Sequence, residues 1–195
     1  MVTQARIEPL TVEQFWEQYA DRPFILFEGK IVEVSPPGME HAEIQMIVGS
    51  VLREFLATHP IGRVFGEMGF RLSKITLLAP DVCFLSDETL SQVKDKRRFA
   101  TIAPDLAVEI VSPGDTASEI EQKIRLFLGS GTRLIWVIYP TLRSVTAHYA
   151  NGTARTFDEN GTLEGGDVLP GFSILVSKLF PLQPESSESD LKSES

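Results

Sequence analysis

Cysteine and histidine are scarce in this chain of 195 residues. The single cysteine, Cys83, has no partner for a disulfide within the chain, and this suits a reducing compartment. One cysteine excludes a cysteine-rich zinc site, and His59 and His148 lack the spacing of metal ligands. The sequence contains neither a phosphate-binding glycine-rich loop nor a Gly-x-Ser-x-Gly elbow, which argues against the classes that use them.

Long apolar runs are missing too. No run approaches the ~20 residues of a membrane span, and the opening MVTQARIEPLTVEQF lacks an apolar core of signal-peptide length. We therefore expect a cytoplasmic protein that does not enter a membrane. The formal net charge of −9 argues against broad electrostatic attraction to nucleic acid. The one dense basic cluster favours a solvated surface over a phosphate contact, and it comprises Lys94, Lys96, Arg97 and Arg98.

The length and the composition fit one globular domain with its own core, because 43% of the residues are hydrophobic. We expect this single domain over residues 1–182. Residues 183–195 are rich in Ser and Glu with one apolar residue, and this composition predicts a disordered acidic tail.

Hydrophobic periodicity predicts alternating helices and strands. Thr11 and Gln14 fit the N-cap and capping-box positions of a short helix over 11–20. A longer amphipathic helix is expected over 41–57, where apolar side chains recur at helical spacing. The other expected elements are a hairpin of 24–28 and 30–35, strands at 62–65, 69–72, 81–85, 106–111, 134–139 and 144–149, a helix at 117–128, and a helix or surface excursion at 87–98. This order predicts an α/β (α+β) fold whose mixed β-sheet core carries helices on both faces.

Two carboxylates stand in otherwise apolar strands. Glu109 interrupts the stretch 106–111 (LAVEIV), where an unpaired charge is costly or has a raised pKa. It therefore needs a metal ion, a basic side chain or backbone donors, and a purely structural ion pair is the alternative. Asp81 opens the strand 81–85, and a Pro-Asp pair alone is a common turn. Together, however, two carboxylates at the ends of neighbouring strands form the usual oxygen shell of Mg²⁺ or Mn²⁺.

A lysine and a histidine share the buried faces of the two main helices. Lys123 lies three residues after Ile120 and four before Phe127, so it is expected on or beside the face that packs on the sheet. It is then a charge partner for Glu109, unless it extends to the helix edge. His41 lies three residues before Ile44 and continues the core-facing stripe, where a core histidine is the alternative. Further carboxylates near that helix end are Glu28, Glu40 and Glu43, and the sequence does not choose among them.

An ordered set of short motifs resembles the Uma-type restriction endonuclease family, which is assigned to the PD-(D/E)XK nuclease superfamily. The motifs are GFRL at 69–72, APDV at 79–82, VEIVSP at 108–113, the lysine at 123, WVIYP at 136–140 and LPGF at 169–172. Each is weak alone, but the order and spacing are specific, and the resemblance covers roughly residues 8 to 180.

The resemblance implies a restriction-endonuclease-like fold and a catalytic site. The family's aspartate, glutamate, lysine and histidine fall on Asp81, Glu109, Lys123 and His41. Asp81 and Glu109 are then the metal ligands, the cofactor is Mg²⁺ or Mn²⁺, and the substrate is nucleic acid, with DNA favoured. The oligomeric state stays open, although a homodimer is one option because superfamily nucleases that cut both strands often act as dimers.

The chain departs from the family pattern at two positions, where Tyr139 replaces an acidic residue and Phe127 replaces a tyrosine. Position 111 is Val, so the lysine of the strict superfamily motif is absent there. Together with the acidic charge, the Tyr139 departure supports a second hypothesis, a catalytically inactive nuclease fold that binds nucleic acid or protein. A third is a glycosidase that uses the same carboxylates, but one lysine aligned with the pair fits a phosphate substrate better.

Overall fold

A computed structural model describes residues 9–20 and 22–182, and within them helices alternate with short strands. The helices are α1 (Val12–Tyr19), α2 (Met39–Thr58), α3 (Asp87–Ser91) and α4 (Ala117–Gly129). The strands are β1 (Phe24–Phe27), β2 (Lys30–Glu33), β3 (Gly62–Gly66), β4 (Phe70–Ser73), β5 (Thr76–Leu78), β6 (Val82–Ser86), β7 (Leu106–Ile110), β8 (Leu134–Tyr139), β9 (Ser144–Tyr149), β10 (Ala154–Phe157), β11 (Thr162–Glu164) and β12 (Ser173–Leu175). A 3-10 helix covers Val176–Leu179.

The central sheet has six strands in the order β10-β9-β8-β7-β6-β3. Strands β7 and β8 are parallel, with Leu106 opposite Leu134 and Ile110 opposite Ile138, whereas the other four pairs are antiparallel. A parallel pair needs a long crossover, and the segment that contains α4 supplies it. All five residues of β7 are buried, as its nearly continuous apolar sequence predicts for a strand covered on both faces.

Helix α2 covers one face of this sheet. Its buried side chains Ile44, Val48 and Leu52 recur every four residues, so they form one stripe along the helix. The stripe belongs to the largest apolar cluster, which includes Val108 of β7 and Trp136 of β8. This packing fixes which side of α2 faces the sheet, and thereby the direction of the residues at its first turn.

Helix α4 covers the opposite face, where Ile124 and Phe127 pack with Ala107, Ile135 and Val137. A second sheet of four strands, in the order β2-β1-β5-β4, extends this layer. The mixed sheet with helices on both faces is therefore confirmed. The four-stranded sheet adds to the expected architecture, because β5 is not apparent in the sequence.

Local sequence signals place the ends of the elements well. Thr11 and Gln14 form the expected capping box of α1, and Glu28 and Gly29 form a tight turn between β1 and β2 with φ of 47° and 81°. Of the segment 87–98, only the first five residues are helical, in α3. The predicted tail 183–195 lies outside the described residues. No helix in the described part of the chain combines the length and hydropathy of a membrane span.

Candidate active site

The candidate site lies where β6 begins and β7 ends. These two inner strands end at the same row of strand ends of the central sheet, which forms the sheet edge of the site. The two strands are antiparallel, with Val82 opposite Val108, so the residue before β6 lies beside the last residues of β7. The Ile110 backbone N–H accordingly donates to Asp81 Oδ2 over 2.6 Å. This register brings Asp81 to the strand that carries Glu109.

Glu109 is buried in the middle of this edge, with 7% of its surface exposed. Its side chain points towards α4, where Lys123 Nζ donates to Glu109 Oε2 over 2.6 Å. The lysine side chain is 27% exposed, so part of it is in contact with solvent. The second carboxylate oxygen, Oε1, is buried and has no hydrogen-bond partner among the residues that the structure describes. One oxygen of Glu109 is thus neutralised by the lysine, and the other is left with unmet hydrogen-bonding capacity.

In the Glu109–Lys123 pair, the environment disfavours the ionised form of Glu109. Burial and, to a smaller extent, the nearby Asp81 charge raise the pKa of Glu109 to about 7, against the opposing effect of the Lys123 charge. Burial also acts to lower the pKa of Lys123, but the charge and hydrogen bond of Glu109 outweigh it, so this pKa lies above its ordinary value. The lysine is therefore the firmly charged member, and the ionisation of Glu109 depends on pH in the neutral range.

The start of α4 determines the direction in which the Lys123 side chain points. Thr116 caps the helix and forms a capping box with Glu119, whose carboxylate accepts from the Thr116 N–H over 2.9 Å. With the start fixed in this way, Ile124 and Phe127 face the core and Lys123 points to the end of β7. The inward lysine follows from helical phase, as the sequence predicts.

His41 approaches Asp81 from the first turns of α2. Its Nε2 lies 3.1 Å from Asp81 Oδ1, and its Nδ1 lies 2.9 Å from Ser112 Oγ. The imidazole side chain is 14% exposed. The hydrogen bond to Asp81 raises the pKa of His41 above its ordinary value and outweighs the burial that opposes it. Asp81 thus accepts from a backbone N–H through one oxygen and from an imidazole N–H through the other.

Two further side chains at this edge are not indicated by the sequence analysis. Ser112 follows β7 in the Ser-Pro turn, and its N–H donates to Asp115 Oδ2 over 2.7 Å. Gln45, one helical turn after His41, donates from Nε2 to the Asp81 carbonyl over 2.9 Å. The sequence carries a weak signal for each: Ser112 lies in the VEIVSP motif, and the spacing of four between His41 and Gln45 places both on one side of α2.

The three additional carboxylates near α2 do not join this group. Glu28 forms the β1–β2 turn, and Glu40 is exposed in the first turn of α2. Glu43 lines a separate cavity of about 540 Å³ together with Arg143 and Lys178. Within residues 9–20 and 22–182, no group of three His, Cys, Asp or Glu side chains is placed to hold a metal ion.

The dense basic cluster lies elsewhere as well. The guanidinium of Arg98 stacks over the ring of Phe99, which packs edge-on against Trp16 of α1. These contacts place Arg98 beside α1 and the four-stranded sheet. The three other basic residues of the cluster, Lys94, Lys96 and Arg97, are exposed.

The positions that depart from the family pattern serve the packing of α4. Phe127 is fully buried in the cluster beneath the helix. Tyr139 is half-buried at the end of β8, and this burial, reinforced by the charge of Glu121, raises its pKa. Neither residue removes a carboxylate from the Asp81–Glu109 pair.

The donor set fits a hard divalent cation. Glu109 Oε1 is a buried oxygen without a partner, and Asp81 is adjacent to the same strand end. Mg²⁺ is commonly held by one or two carboxylates, with water and substrate phosphate completing its shell. Two carboxylates without a third protein ligand therefore match this binding mode, and they do not match a closed structural metal site.

Residues 12–177 match the family model Uma2, described as "Putative restriction endonuclease". No curated protein matches the chain. The crystal structure of a "putative nuclease belonging to DUF820" from Anabaena variabilis is similar, with 23% identity and a TM-score of 0.76 over 88% of this chain and 98% of that one. At this identity the likeness concerns the fold, whereas the family match spans most of the chain. The chain therefore belongs to the Uma2 family.

Proposed function

We propose that the protein is a metal-dependent nuclease that hydrolyses phosphodiester bonds of nucleic acid, with DNA as the substrate and Mg²⁺ or Mn²⁺ as the cofactor. The observation that carries the proposal is the buried Glu109–Lys123 pair beside Asp81 at one sheet edge. A lysine charge that is partly exposed to solvent and two carboxylates are the groups that phosphoryl chemistry needs. The family match supports the same assignment.

Asp81 and Glu109 would hold the cation. When bound, it would polarise the scissile phosphate and lower the pKa of an attacking water. Lys123, fixed by its 2.6 Å contact with Glu109, places a positive charge beside the position where negative charge develops on the phosphate oxygens. His41 keeps the Asp81 carboxylate in one orientation through its ring N–H.

The acidic net charge is compatible with this substrate. The cation would offset part of the negative charge of Asp81 and Glu109, and Lys123 already offsets another part. The protein nevertheless offers few basic side chains for non-specific phosphate contacts. We therefore expect weak binding to DNA whose dependence on salt is shallow, because few phosphates are neutralised by basic side chains.

The test is cleavage of supercoiled plasmid and of labelled single- and double-stranded oligonucleotides with Mg²⁺ or Mn²⁺. Glu109→Gln, Asp81→Asn and Lys123→Met are each expected to lower the rate by roughly 100-fold or more, because each removes a charge at the reacting phosphate. Two control variants, Glu88→Gln in α3 and Arg125→Met on the outer face of α4, keep the wild-type rate.

Cleavage that persists in all three site variants would contradict the proposal, since its source would lie outside this site. Binding of Mn²⁺ and DNA without cleavage by the wild-type protein would instead support the inactive nuclease fold. Calorimetric titration with Mn²⁺, with Glu109→Gln as the negative control, separates these outcomes.

A further inference from the structure

The imidazole of His41 is held from both sides by residues of the sheet edge. Its Nε2 lies 3.1 Å from Asp81 Oδ1, and its Nδ1 lies 2.9 Å from Ser112 Oγ. These contacts join positions 40 and 71 residues apart in the sequence. Asp81, His41 and Ser112 therefore form one hydrogen-bonded chain across β6, α2 and the end of β7.

This chain determines where the Asp81 carboxylate points. One oxygen is fixed by the Ile110 N–H at 2.6 Å and the other by His41, so rotation of the carboxylate breaks at least one of the two bonds. The ring of His41 is held at Nε2 by Asp81, and a contact at the second nitrogen fixes its orientation further. Ser112 supplies that second contact.

We infer that Ser112 is a positioning residue of the metal site: it fixes the His41 ring, and the ring in turn orients Asp81 towards the cation. The inference rests on the proposed function, because it assigns an outer residue to the metal site proposed there. Partners of this kind orient metal ligands in many metalloproteins, and their loss weakens metal binding about 10- to 100-fold.

A serine hydroxyl suits this place for two reasons. It is able to donate to a neutral Nδ1 and to accept from a protonated one, so the contact survives in both states of the ring. Its backbone is also fixed, since the Ser112 N–H donates to Asp115 Oδ2 over 2.7 Å. Ser112 comes three residues after Glu109, so one strand end carries a proposed metal ligand and the residue that positions the other.

A serine, a histidine and an aspartate in series also form the geometry of an activated nucleophile. The surrounding charges argue against that role here. The negative charges of Asp81, Asp115 and Glu109 all reach His41 and raise its pKa. Three carboxylates at this distance would repel the oxyanion that attack by a serine would create. The Ser112 N–H, which would be an oxyanion donor, is committed to Asp115.

The experiment is a double-mutant cycle on Mn²⁺ affinity, measured by calorimetry with Ser112→Ala, His41→Ala and the double variant. Ser112→Ala is expected to weaken Mn²⁺ binding about tenfold, and Ser112→Thr, which keeps the hydroxyl, to remain within about threefold of wild type. In the His41→Ala background, Ser112→Ala has no further effect, because the serine acts through the ring. Ser91→Ala, at an exposed serine of α3, is the matched control.

A second measurement needs no metal. Long-range ¹H–¹⁵N spectra report the ring nitrogens of His41, and the Nδ1 resonance is expected to shift in Ser112→Ala while urea unfolding stays cooperative. An unchanged Nδ1 resonance would overturn the inference. So would an equal loss of Mn²⁺ affinity on Ser112→Ala in the wild-type and in the His41→Ala background. Equal Mn²⁺ affinity in wild type and Ser112→Ala would overturn it and leave the proposed function standing. A wild-type protein that does not bind Mn²⁺ would overturn both.

Discussion

Replacing Lys123 by methionine should produce a loss of stability that grows with pH. In the wild-type protein the pKa of Glu109 is about 7, above its ordinary value, so its contribution to stability falls between about pH 4.5 and 7 and then levels off. Lys123→Met removes the charge that favours the carboxylate, so the pKa of Glu109 rises further. The variant therefore continues to lose stability above pH 7, where the wild-type protein does not.

The magnitude follows from the free energy gained when the carboxyl ionises. For a pKa of about 7 this gain is roughly half a kcal/mol at pH 7, roughly 1 to 2 kcal/mol at pH 8 and roughly 3 kcal/mol at pH 9. These values are the largest deficits that Lys123→Met can suffer through Glu109, because a buried carboxyl takes up a proton when ionisation costs more. At pH 5 the carboxyl is protonated in both proteins, and the deficit through Glu109 vanishes.

The assay is urea unfolding at pH 5, 7, 8 and 9 with EDTA present, so that no divalent cation binds. Arg125→Met is the matched control, since its side chain is 67% exposed on the same helix. The double variant Glu109→Gln/Lys123→Met has no titrating carboxyl at position 109. Its free energy of unfolding should differ from that of Glu109→Gln by an amount that does not change with pH. A deficit of Lys123→Met that is constant with pH, or that grows towards acid, would refute the reasoning.

Three further predictions concern stability and are checked by urea unfolding at neutral pH unless stated. Thr116→Ala removes the capping box of α4 and should cost about 1 kcal/mol. Gly29→Ala should cost more than about 1 kcal/mol, because φ is 81° and the new Cβ would clash with the side chain of Pro9. For Asp105, burial acts against ionisation, but hydrogen bonds from Ser86 and Arg133 outweigh it and lower its pKa. Its stabilisation is present above the ordinary pKa and is lost as pH falls through the lower folded value, so the deficit of Asp105→Asn should shrink between pH 5 and pH 2.

Much of the site is readable from local patterns. Glu109 stands out because a charge interrupts a strand that is otherwise apolar, and such a charge needs a partner. Lys123 is placed by helical phase, because Ile124 and Phe127 fix the buried face of α4. The structure brings both residues together with Asp81 and His41 at one sheet edge.

What the sequence does not reveal depends on contacts between distant segments. Ser112 meets His41 across 71 positions, and a serine in a Ser-Pro turn has no periodicity that would mark it. The strand β5 has only three residues and pairs with β1 far back along the chain, so the sequence does not show that the predicted strands β1, β2 and β4 belong to one four-stranded sheet. For the same reason, nothing in the sequence chooses among Glu28, Glu40 and Glu43 as a further metal ligand.

The burial of β7 determines which part of the protein unfolds last. This strand is hydrogen-bonded to β6 and β8 and covered on both faces, so its amides are expected to exchange with solvent only when the whole sheet unfolds. Glu109 is carried by this slowest-exchanging part of the chain, whereas His41 lies within the first turn of a helix, where fraying begins. On warming, the arrangement around Asp81 should loosen from the α2 side first, while the Glu109–Lys123 pair persists until the fold itself is lost.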